Sequence, residues 1–178
     1  MHMLLKYLGA ALILISAPGL GMYLAGQWKE RLRLLEKLRQ MIYFLKGEIT
    51  YSHAPLAEAL ERVGRRSGGP LGDMFVRASE RICTQEGESL QEIWSGETRT
   101  MAAGAKNLPL TRADLEQFTA LGEHLGYLDV DMQERTLLLY LEQLDLSIEY
   151  LQAHRQEKCR LYTSLGVMGG IFLVIVMC

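Results

Sequence analysis

Two uncharged apolar stretches close the ends of this chain, at 7–28 and 161–178, and every acidic residue lies between them. A helix needs roughly 20 mainly apolar residues to cross the hydrocarbon core of a bilayer. Both stretches reach that range, so the sequence predicts one membrane helix within 1–28 and a second at 161–178. The segment 29–160 reads as a polar helical domain pinned to a membrane by both ends.

The cations set the orientation. Lys29, Arg31, Arg33, Lys37 and Arg39 follow the first stretch, and Arg155, Lys158 and Arg160 precede the second. The outer flanks carry only Lys6 and the terminal amine. Lys and Arg near spans collect on the cytoplasmic side, so the middle domain is expected in the cytoplasm. Tyr23, Trp28 and Tyr162 stand at the depth of interfacial aromatic anchors. The competing reading of the first stretch is a cleaved signal peptide. Its apolar run is long for a signal core, and the basic cluster behind it resembles a stop signal.

Setting Lys6 aside from the 19 basic residues leaves 18 against 21 acidic ones, a net charge of −3 for the middle segment. A nucleic-acid surface would show a basic excess instead. The 3 cysteines, Cys83, Cys159 and Cys178, do not form a disulfide framework. Free cytosolic thiols are expected.

Apolar residues recur at helical spacing throughout. Leu35, Leu38, Ile42, Leu45 and Ile49 make a stripe at steps of three and four. A second helix starts at Pro55, with Leu56, Leu60 and Val63, and stops before the Ser67-Gly-Gly-Pro70 turn. The third opens at Pro70, carries Leu71, Met74, Phe75, Ala78 and Ile82, and ends by Gly87. Ser89 with Glu92 forms a capping-box pattern for the fourth, whose inner face is Leu90, Ile93, Trp94 and Met101, with Gly104 closing it. Thr111 with Asp114 repeats that signal before Leu115, Phe118, Leu121 and Leu125. Asp129 opens the sixth, with Leu137, Leu141, Leu144, Ile148 and Leu151 in a near-heptad seam, continuing towards the second apolar stretch. The expected fold is all-α: an antiparallel six-helix bundle flanked by two transmembrane helices. Pro55-Leu-Ala-Glu and Ser89-Leu-Gln-Glu echo each other as helix starts with an acid near the positive dipole end.

Motifs for chemistry are missing. The chain has no P-loop, no His-Glu-x-x-His and no paired CxxC, so no catalytic, metal or cofactor residue is assigned. His154 and Cys159 are badly spaced for shared ligation and lack a third ligand. Glu123, His124 and Asp129 are the residues that an unrecognised site would use, giving the alternative of a membrane-anchored regulator or small enzyme. The dipoles of their helices explain them as well. What rises above this background is association. Ala17, Gly21 and Ala25 recur every fourth residue in the first stretch, and Gly166 and Gly170 do so in the second; small residues at that spacing let membrane helices approach closely. Pro18 is expected to kink the first span. Arg62, Arg65 and Arg66 form a basic strip that offers a docking patch for an acidic partner.

The order of these features resembles the stage III sporulation protein AB family. The residues that carry the likeness are Met3-Leu-Leu-Lys-Tyr-Leu-Gly-Ala, then Glu48-Ile-Thr-Tyr-Ser-His-Ala-Pro-Leu-Ala-Glu-Ala-Leu60 and Gly87-Glu-Ser-Leu-Gln-Glu-Ile-Trp94. Leu121-Gly-Glu-His-Leu-Gly126 with Asp129, Asp131 and Gln133 follows, and Leu165-Gly-Val-Met-Gly-Gly170 closes the set. His53 and the bulky Trp94 depart from the expected pattern. The resemblance implies a cytoplasmic domain similar to the inner-membrane platform proteins, the F family, of type II secretion and type IV pilus machines. It also implies a scaffold in the mother-cell membrane around the forespore. The partners it implies are a cytoplasmic secretion-type ATPase (stage III sporulation protein AA) and other membrane proteins of a sporulation channel; the apolar stretches call for the lipid bilayer, and the small-residue spacings leave a homo-oligomer open.

Overall fold

The structure is a computed structural model that describes residues 2–84, 87–104, 108–126 and 129–154 and the single positions 157, 164 and 168; side chains are described at 23 and from 26 on. It contains six helices: α1 (His2–Thr50), α2 (Leu56–Ser67), α3 (Gly69–Thr84), α4 (Leu90–Gly104), α5 (Arg112–Leu125) and α6 (Val130–Ala153). No strand occurs among the described residues.

The chain forms two compact units, one of Met1–Leu32 with Glu149–Cys178, the other of Arg33–Ile148. In the first, the Trp28 indole N–H donates to the Leu151 carbonyl at 3.2 Å, and the Tyr150 ring packs on His154 with centroids 4.4 Å apart. This unit holds both ends of the chain. Among the described residues no helix is long and apolar enough to cross a membrane. The spans expected at 1–28 and 161–178 fall largely outside the residues whose side chains are described, as does the predicted continuation of α6 beyond Ala153. Helix α1 runs unbroken through Pro18.

The second unit is the bundle, and its direction can be read from paired contacts. Arg66 sits 4.0 Å over the Phe44 ring and Arg62 pairs with Glu48, so α2 runs back along α1. Gly64 and Gly72 touch across the α2–α3 turn. Arg81 reaches both Glu88 and Glu97, reversing α3 into α4. Trp94 bonds to the Phe118 carbonyl and Gln91 to Glu123, reversing α4 into α5. Phe118 packs on Tyr140 and Gln133 reaches the Leu125 carbonyl, reversing α5 into α6. Lys46–Glu134 and Arg39–Asp145 then set α6 antiparallel to α1. The expected antiparallel six-helix bundle is present.

The sequence dictates its core. The α1 stripe of Leu35, Leu38, Ile42, Leu45 and Ile49 is buried, and the α6 seam of Leu137, Leu141, Leu144, Ile148 and Leu151 is buried along its helix. At the centre, Phe75, Trp94 and Phe118 stack within 5.1 to 6.3 Å of one another. The bulk of Trp94 is accommodated by Gly122 on α5, where a Cβ would lie 2.5 Å from the indole. The indole N–H donates to the Phe118 carbonyl at 2.8 Å, so the ring is buried with its polar atom satisfied. Both predicted capping boxes form: Ser89 with Glu92, and Thr111 with Asp114.

Candidate functional site

The helix ends that share Ile49, the α1–α2 turn and the start of α6 enclose a cleft of about 450 Å³. Its walls are aliphatic: Ile49, Leu56, Ile82, Leu90, Ile93, Leu125 and Val130. His53, Glu88 and Gln133 supply the polar groups. Each helix of the bundle contributes a terminus or a flanking turn, because an antiparallel bundle gathers alternate starts and stops at one end.

Local chemistry fixes the rim. His53 adopts φ 51°, the left-handed region, which costs a non-glycine residue about 1–2 kcal/mol. Its Nδ1 lies 3.2 Å from the Tyr51 carbonyl, and the Ala54 N–H closes the turn on the Glu48 carbonyl at 3.1 Å. Strained backbone of this kind gathers at functional sites. Gly87, at φ 107°, makes the turn that delivers Glu88, which Arg81 holds by an ion pair. Gln133 donates to the Leu125 carbonyl at 3.0 Å and closes the end of α5.

The turns that build the cleft also carry Glu48, Glu58, Glu92, Asp131 and Glu134. Arg62 pairs with Glu48 and Glu58, Lys46 with Glu134, and Arg81 with Glu88 and Glu97. Hydrogen bonding to Glu97 and then Glu88 raises the Arg81 pKa. The Ser89 N–H, followed by its hydroxyl, lowers that of the Glu92 carboxyl. An aliphatic socket with His53, Glu88 and Gln133 as its polar groups suits an apolar side chain of a partner.

The strip Arg62, Arg65 and Arg66 is exposed on α2, Arg62 at 52% and Arg65 at 67%, and each side chain also has a contact within the chain. Arg62 pairs with Glu48 and Glu58, Arg65 with Glu61, and Arg66 covers Phe44. The side chains of Ala17, Gly21 and Ala25, and all of Gly166 and Gly170, lie outside the described residues. Glu123 accepts from Gln91 at 3.3 Å, Asp129 accepts from the Asp131 N–H at 3.1 Å, and His124 is exposed in the last turn of α5. Among the described residues no group of His, Cys, Asp and Glu is arranged to hold a metal ion. Cys83 is exposed as a free thiol.

The sequence pattern described as stage III sporulation protein AB matches residues 6–178. The chain belongs to the stage III sporulation protein AB family. Stage III sporulation protein AB of Bacillus subtilis (strain 168) is 25% identical over 181 residues, which span 98% of this chain and 99% of the relative. A solved structure of stage III sporulation protein AB (SpoIIIAB) is similar with a TM-score of 0.62 at 23% identity, over 72% of this chain and 98% of that one. At that identity the likeness concerns the fold. For a stage III sporulation protein AB family member, the cleft has a further interest. Segments 48–60, 87–94 and 121–126, which carry the resemblance in sequence, all send residues to its lining. Sequence reading missed the cleft because it joins segments far apart in the chain; the unexpected His53 was its one local signal.

Proposed function

We propose that this chain is a non-enzymatic, two-pass membrane platform of a secretion-like sporulation complex between mother cell and forespore. Its bundle docks a cytoplasmic secretion-type ATPase (stage III sporulation protein AA) and links it to membrane components of the channel. The cleft is the observation that carries this reading: aliphatic walls at one end of the bundle, with His53, Glu88 and Gln133 as its polar groups. Its occupant is an apolar side chain of the ATPase. The position of the cleft suits that task. Along α1 the cations Arg33 and Lys37 stand about 24 and 18 Å from the cleft wall at Ile49, so they lie towards one end of the bundle and the other end receives the partner. The apolar stretches 7–28 and 161–178 hold the protein in the bilayer, with the bundle on the mother-cell side.

The test is capture of the cognate ATPase by the full chain in isolated membranes. Val130 lines the cleft and is 37% exposed, so Val130→Trp fills the socket without disturbing buried packing. We expect at least tenfold weaker capture with unchanged unfolding. A wild-type chain that never retains the ATPase, or a Val130→Trp variant that retains it fully, overturns the reading.

A further inference from the structure

Helix α6 buries one face and leaves a second apolar line open. Met132, Leu139 and Leu146 are 45%, 62% and 64% exposed. With Thr136 and Gln143 they step by four and three along the helix, the spacing that lets one helix lie along another with a shallow left-handed twist. Leu138, 45% exposed, widens the patch towards α1. There Tyr43, 56% exposed, shares a helix flank with Lys46 and Arg39, the residues that pair with α6. A monomeric surface seldom gathers apolar side chains this way without a use for them.

We propose that this stripe is the contact between two copies of the chain, with the α6 helices side by side and pointing the same way about a two-fold axis. The two flanks of the stripe differ. Arg135 and Glu142 lie on one; Gln133 and Ser147, both half-buried, lie on the other. Same-direction pairing sets each charged flank against the partner's uncharged one, so no like charges meet, and Glu142 faces a hydroxyl that can donate to it. Leu139 and Leu146 pack on their own counterparts. Gln143, at the centre, meets Gln143 of the partner subunit, and a buried amide pair fixes the register at some cost in stability. Opposed pairing also offers matched charges, Arg135 to Glu142, but it sends the chain ends in opposite directions. The choice of direction therefore rests on the membrane placement proposed above.

Cross-linking in membranes tests both the contact and its direction. Cys83, Cys159 and Cys178 are replaced by Ser, and Leu139→Cys, Leu146→Cys or, off the stripe, Glu116→Cys is introduced singly in the full chain. Mild oxidation is expected to yield a disulfide-linked dimer for the two stripe variants and at least tenfold less for Glu116→Cys. Leu139→Glu, at an exposed site, is expected to abolish the dimer while keeping helical circular dichroism. Absence of dimer from both stripe variants overturns the proposal, as does an adduct to another protein. So does cross-linking confined to co-expressed Met132→Cys and Gln143→Cys, the mark of opposed helices. Carbonate extraction of the same membranes tests the placement separately: a chain that washes off sinks the membrane reading, and oxidation of the released chain still tests the contact.

Discussion

Glu97 shows how much one residue can depend on a neighbouring helix. It lies on α4 with its side chain 8% exposed, and both its oxygens are taken: Oε2 by Arg77 at 2.7 Å and Oε1 by Arg81 at 3.0 Å. Burial pushes its pKa up, but hydrogen bonds and charge from the two guanidinium groups outweigh that and hold it below the ordinary 4.5. A depressed carboxylate pKa stabilises the fold above the unfolded value, and that stabilisation is lost as pH falls through the folded value. Wild-type stability should therefore decline below about pH 4.5 by this route. Glu97→Gln should cost about 2 kcal/mol at neutral pH, the loss of charge-assisted hydrogen bonds in a partly buried site, and should flatten that part of the decline. Urea midpoints for both proteins between pH 7 and pH 3 check this. The sequence displayed Arg77 and Arg81 one helical turn apart, but nothing near them named Glu97 as their target. Partners on different helices are a property of packing, whereas Leu35 or Leu144 could be placed inside from periodicity alone.

At the scale of elements, the α2–α3 hairpin is the tightest joint. A single residue, Gly68, separates the two helices, and Gly68 and Gly69 take φ of 59° and 69°. The backbones then close on each other. A Cβ on Gly64 would stand 2.7 Å from the Gly72 carbonyl and 2.9 Å from Val76 Cγ2. Gly64→Ala is expected to destabilise the bundle by about 1–3 kcal/mol through overpacking, despite alanine's better helix propensity. Gly47→Ala has nothing within 4 Å of its new Cβ and should stabilise by about 0.5–1 kcal/mol. Equilibrium unfolding of the two variants should therefore move in opposite directions. The turn was legible as Ser67-Gly-Gly-Pro70, and helix starts were legible from Ser89 with Glu92 and Thr111 with Asp114. The close approach at Gly64 was not, because a glycine within an amphipathic pattern does not reveal what lies opposite it.

For the molecule as a whole, the chain divides into a bundle, Arg33–Ile148, and a second unit of Met1–Leu32 with Glu149–Cys178. Cys83 on α3 is exposed and belongs to the bundle, so it reports the side on which the bundle lies. A membrane-impermeant maleimide should leave Cys83 unmodified in intact cells and label it fully once the membrane is permeabilised; labelling from outside contradicts the proposed orientation. Helix number, order and the antiparallel course were legible because each depends on local periodicity and short connectors. The cleft and the outer line of α6 were not, since both arise only when six helices take their places.

The 2 tryptophans divide between the units, Trp94 sealed among aromatic rings in the bundle and Trp28 bonded to the Leu151 carbonyl in the other. Each half thus carries its own fluorophore in a different setting. With Trp28→Phe, the emission maximum becomes a clean gauge of bundle melting; with Trp94→Phe, quenchers dissolved in lipid test whether the other indole meets the bilayer, as the proposed placement requires.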